Sequence, residues 1–151
     1  MKIKKALFFL VLFFQCLVAG AQAVETIIDC TGNTKITNSE GSKILPERFQ
    51  LTITEVGKEF LILGKSVTMM AVVASSFELP GNVSFLNFSD DVNYSIARTF
   101  KVSGKKFNLD DIEFTERFYL NRVTGGFKFT SDSRGLKFEI EADCKKTNKR
   151  F

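Results

Sequence analysis

Polar and apolar side chains alternate without a break along residues 135–144, which read G-L-K-F-E-I-E-A-D-C. Leu136, Phe138, Ile140, Ala142 and Cys144 fall on one face of an extended chain, and Lys137, Glu139, Glu141 and Asp143 on the other. Successive strand side chains point to opposite faces, so this pattern predicts a strand with one dry and one wet side. The same period of two marks Phe49, Leu51 and Ile53. It returns in Val92, Tyr94, Ile96, Phe100 and Val102, where Arg98 is the single polar position, and in Phe114, Phe118 and Leu120. Shorter apolar runs at 24–30, 60–63, 83–88 and 127–130 read as strands, and 67–73 is apolar enough to be buried on both faces. Turn residues separate them: a turn-rich stretch at 31–43, then 56–58, Gly64-Lys65, a loop at 74–81 with Pro80-Gly81, Ser89-Asp90-Asp91, 103–106, Gly125-Gly126 and 131–135. Residues 109–117 admit a short helix, capped by Asp110 and carrying a Glu113–Arg117 pair; alternation continuing to Leu120 favours a strand. About eight to ten short strands with regular turns predict one all-β domain, an antiparallel β-sandwich or a small, partly open β-barrel.

Residues 1–23 do not fit that pattern. Lys2, Lys4 and Lys5 precede an apolar run at 6–20, and Ala21-Gln22-Ala23 has the small-x-small form of a cleavage site. The run falls short of the roughly 20 residues that span a bilayer, so it predicts a cleaved signal peptide, with 24–151 as the mature domain. Removing three lysines takes the formal charge from +4 to +1. The basicity therefore belongs largely to targeting, and nucleic acid is not an expected partner. Cys30 and Cys144 are the cysteines left in a chain sent to an oxidising compartment, which predicts a disulfide tying the domain's ends. Residues 145–151 form a basic tail without the alternating apolar face of a lipid-facing strand. No integral membrane protein is expected after cleavage.

Arg122-Val123-Thr124-Gly125, the strand that follows, Cys144 and the terminal Phe151 together resemble a C-terminal pattern of small exported bacterial proteins. The resemblance covers about 118–151. That group has no assigned activity, so the resemblance implies an exported, β-rich domain in the periplasm or outside the cell, and brings no catalytic or binding residues.

The chain contains no histidine, which removes Ser-His-Asp and Cys-His catalysis and histidine metal ligation. Ser103 and Lys106 have S-x-x-K spacing but lie in a predicted turn, without the partner motifs that such chemistry uses. Asp90, Asp91, Asp110, Asp111, Glu113 and Glu116 lack a calcium-loop pattern, and Asp90-Asp91 reads as a turn. No catalytic residue, metal or cofactor is expected. Lys145, Lys146, Lys149 and Arg150 are candidates for contact with an anionic surface. Phe100, Phe114, Phe118, Phe127, Phe129 and Phe138 fill a solid core or line a cavity for a small apolar ligand. The leading expectation is a non-enzymatic module that binds a protein or envelope component, with an exposed sheet edge as a ready surface. A carrier of an apolar ligand stands second. A hydrolase using carboxylates or a Ser-Lys pair is a distant third.

Overall fold

The computed structural model describes residues 23–65, 71–76, 83–103 and 110–147. Among them lie nine strands: β1 (Val24–Asn38), β2 (Gly41–Val56), β3 (Glu59–Lys65), β4 (Ala71–Ser75), β5 (Val83–Asn87), β6 (Asn93–Val102), β7 (Ile112–Asn121), β8 (Gly126–Ser133) and β9 (Leu136–Lys146). They form one antiparallel sheet in the order β4-β3-β2-β1-β9-β8-β7-β6-β5, curled into a half-barrel. Strands consecutive in the chain are neighbours in the sheet except β4 and β5, which stand at its two edges, and β1 lies against β9. First and last strands thus meet at the middle of the sheet, and the sheet is open between β4 and β5. The choice between sandwich and barrel resolves to this half-barrel.

Curling brings the two wings of the sheet face to face. The rings of Phe49 on β2 and Phe127 on β8 meet edge to face at 5.2 Å, and Phe127 meets Phe118 at 5.5 Å. Phe60 on β3 lies 4.6 Å from Tyr94 on β6. Leu51, Ile62, Phe129 and Ile140 are fully enclosed between them. Edge-to-face rings add about 0.5–1.5 kcal/mol per pair to the area they bury, so this aromatic centre holds the curl closed. Cys30 and Cys144 oppose one another directly across the β1–β9 ladder, bonded through their sulfurs with Cα atoms 4.0 Å apart. The predicted pairing is present, and such a bond belongs to an oxidising, extracytoplasmic compartment.

Five local expectations are corrected. The stretch 31–43 is not turn-rich. β1 continues to Asn38 and β2 starts at Gly41, because Cys30, Thr34 and Ile36 keep the period of two through residues whose polarity suggests a loop. Gly64-Lys65 is not a turn but the end of β3. Gly64 sits opposite Leu51, and a Cβ there would overlap the Leu51 side chain, so this glycine serves close packing. β8 runs to Ser133, leaving only Arg134 and Gly135 to turn. The basic tail does not begin at 145: Lys145 and Lys146 end β9, and Thr147 is tied back by its N–H to Ile27 O (3.0 Å) and its hydroxyl to Asp29 Oδ2 (2.7 Å). The ambiguous region resolves as strand β7 from Ile112 onward. The loop expected at 74–81 does not begin at 74, because β4 carries the strand on through Ala74 and Ser75. Residues 67–70 of the strand expected at 67–73, 77–81 of the loop, and Lys106 lie outside the described residues.

Candidate functional site

Two places on the half-barrel present unusual chemistry. The first is the seam where the sheet fails to close. β4 approaches the concave side of the opposite wing, where Val73, Ile96, Arg98, Glu116, Phe118 and Phe129 line one narrow crevice. Beneath it Arg98 and Glu116 form an ion pair almost out of solvent, with side chains 15% and 8% exposed. Arg98 Nε donates to Glu116 Oε2 at 2.6 Å, the Ser131 hydroxyl donates to Oε1, and the guanidinium lies 5.3 Å above the Phe100 ring. Arg98 was visible in the sequence as the lone polar position on an apolar face. Glu116 lies on the same face, between Phe114 and Phe118, and that position was the signal pointing to it.

On the far side of the seam β5 is the last strand of the sheet. Phe88 N–H donates to Ser95 O at 2.8 Å, which fixes the alternation of the β5–β6 ladder. Ser84 and Leu86 therefore bond to β6, whereas Phe85 and Asn87 turn their N–H and C=O groups to the outer edge. Residues 83–89 read V-S-F-L-N-F-S, with neither charge nor proline. Leu86 and Phe88 are 56% and 63% exposed. The other long unpaired edge, the first half of β2, is guarded by Lys43, Pro46 and Arg48, residues that keep foreign strands from pairing.

The second place is the mouth of the half-barrel at the end holding the β7–β8 turn. A pocket of about 470 Å³ opens there over a floor that includes Ile28, Ile53 and Leu120. Its rim is built by the R-x-T-G segment. Asn121 Oδ1 accepts the N–H groups of Val123 (3.0 Å) and Thr124 (2.7 Å), and Gly125 N–H bonds Asn121 O at 2.9 Å. Gly125 has φ +78°, and a Cβ there would fall on the Cys144 carbonyl oxygen, so only glycine fits. This tight turn aims Arg122 back across the mouth. Its guanidinium lies 4.7 Å over the Tyr94 ring, and Nη2 is 2.9 Å from Glu55 Oε1, which also accepts the Tyr94 hydroxyl at 2.7 Å. Burial, reinforced by the hydrogen bond to Glu55, pushes the Tyr94 phenol well above its ordinary value, so it stays a neutral donor.

Phe127 and Phe129 are fully buried and Phe118 nearly so. Phe100 and Phe114 stack at 5.3 Å towards the opposite end, half-buried, as is Phe138. None of the six lines the mouth pocket. Lys145 and Lys146 do line it, while Lys149 and Arg150 lie outside the described residues. Asp90 is a turn residue as expected. Its Oδ1 accepts the N–H groups of Val92 and Asn93, which hold its carboxyl below the usual range. Among the described residues no group of three or more Cys, Asp or Glu side chains is placed to hold a metal, and no helix is long and apolar enough to cross a membrane. The roles of Glu55 and Tyr94 were not foreseen. Glu55 joins its partners across 39 and 67 residues of chain. No local pattern encodes such a meeting.

Comparison with protein-family models, curated proteins and solved structures finds no match. The fold and its two sites define an all-β half-barrel with a bare apolar edge at β5 and an amphipathic mouth.

Proposed function

We propose that the chain is an exported, non-enzymatic interaction module that binds a partner protein of the bacterial envelope by adding an extended segment of that partner to the outer edge of β5. The observation that carries the reading is the bare edge of β5, where outward N–H and C=O groups stand beside the exposed Leu86 and Phe88. The buried Val72 and Ala74 of β4 at the opposite edge offer no such apolar surface, and the unpaired half of β2 is guarded by charge and proline. An edge strand with free N–H and C=O groups templates another strand. Main-chain hydrogen bonds then supply affinity, and alternate side chains supply selectivity. Export is supported by the leader pattern at 1–23, by the resemblance of 118–151 to small exported proteins, and by the disulfide. A Phe-lined carrier draws no support from the six phenylalanines, which sit away from the mouth.

Photo-crosslinking in the exporting cell tests this. A crosslinker at Ser84 is expected to trap a discrete partner, and one at Lys43 on the guarded edge is not. Asn87→Pro removes an outward N–H while leaving the main-chain bonds of Ser84 and Leu86 to β6, and is expected to abolish the adduct while the far-UV spectrum is kept. Asn87→Ala, which loses the same side-chain bond to Ser89 N–H but keeps the outward N–H, is expected to retain it. No adduct from Ser84, or an equal adduct in the proline variant, overturns the proposal.

A further inference from the structure

The mouth pocket carries an assignment of its own, independent of the β5 edge. We infer that it binds a small carboxylate-headed amphiphile, with the head group at Lys146 and the apolar body on the floor of Ile28, Ile53 and Leu120.

The size is suitable, since small-molecule pockets run from about 300 to 1,000 Å³ and this one is about 470 Å³. The floor is dry: Ile28, Ile53 and Leu120 are 6%, 5% and 2% exposed. Apolar ligand surface laid on such a floor leaves water at roughly 25 cal/mol per Å². The charge is one-sided. Glu55 is the acid in the described lining, and it is engaged by Arg122 and the Tyr94 hydroxyl. Lys146 lines the same pocket and belongs to none of the ion pairs formed between described residues. Lys146 stands opposite Ile28 in the β1–β9 register and two residues beyond the inward Cys144, which places it on the concave face. The Thr26 side lies beside it on β1 and adds a polar position to the wall. A cation above an apolar floor, beside an acid already neutralised, complements one negative charge on an apolar body. A neutral or cationic amphiphile would leave Lys146 uncompensated or repelled. The fixed Glu55–Arg122–Tyr94 bridge keeps the mouth preformed, so little ordering opposes binding.

Titration of the ¹⁵N-labelled protein with monomeric dodecanoate tests the assignment. Expected is saturable binding of one molecule, with the largest shifts at Thr26, Ile53 and Arg122. Dodecanol, and dodecanoate with Lys146→Gln, are each expected to bind about tenfold more weakly, a difference of about 1.4 kcal/mol. Lys146→Arg should restore affinity, and Lys128→Gln on the outer face should leave it unchanged. Failure to saturate, equal binding by dodecanol, full affinity in Lys146→Gln, or shifts confined to β5 would each overturn the assignment. Shifts confined to β5 would do so without touching the strand-addition proposal.

Discussion

Removing one partner of the Arg98–Glu116 pair should destabilise the protein far more than removing both. Glu116→Ala strips Arg98 of its carboxylate in a site where its side chain is only 15% exposed. It also leaves the Ser131 hydroxyl, itself buried, without that acceptor. A buried charge left uncompensated costs about 3–5 kcal/mol. Against a total stability of roughly 5–15 kcal/mol that is a large fraction. At roughly 4 °C per kcal/mol for a domain of this size, Tm should fall by about 12–20 °C. The double change Arg98→Met/Glu116→Leu replaces the pair by apolar groups of similar length and should return to within about 2 kcal/mol of the parent, or exceed it. The Lys101–Glu113 pair, with side chains 63% and 57% exposed, is the internal control, and its loss should cost less than about 1 kcal/mol. Urea unfolding followed by far-UV circular dichroism supplies all four values, provided the slopes agree. A cost below about 1 kcal/mol for Glu116→Ala, or a double variant no better than the single, would refute the reasoning.

Three other outcomes are expected. Cys30→Ala/Cys144→Ala removes a link spanning 114 residues, worth about 5 kcal/mol in the chain-entropy model, and should lower the urea midpoint without changing the amide ladder between β1 and β9. Gly125→Ala should cost about 2 kcal/mol or more in a melting experiment, because its positive φ is unfavourable for alanine and the new methyl meets the Cys144 backbone. Tyr94, neutral in the fold well above its ordinary value, contributes stability that is complete below about pH 10, the unfolded tyrosine value, and is lost as pH rises towards its folded value. An alkaline absorbance titration should therefore show one of the two tyrosines ionising late, and Glu55→Gln should bring it earlier by removing its acceptor charge.

The strands that alternate cleanly, such as β6, β7 and β9, were legible because burial on one face imposes a period of two. β1 was misread beyond Cys30 because threonine, asparagine and glycine look like a loop in isolation. They form a strand because β2 and β9 pair with both sides of it. The disulfide was legible from compartment and count. The mouth was not: Ile28, Glu55, Tyr94 and Arg122 come from four separate strands and turns, and only the curl of the sheet brings them together. Glu47 is a similar case. A glutamate in a strand reads as a wet position, yet it is enclosed on the concave face and accepts the Thr34 hydroxyl at 3.0 Å. The bare edge of β5 was readable as composition, but its place at the end of the sheet was not.

The measurement that bears most directly on that edge is amide hydrogen exchange along β5. In the isolated protein Phe85 and Asn87 should exchange like solvated chain, while Leu86, bonded to β6, is slowed. In the complex trapped through Ser84, Phe85 and Asn87 should become protected to the level of Leu86. Outward amides already protected in the free protein, or still exchanging freely in the complex, would contradict strand addition at β5.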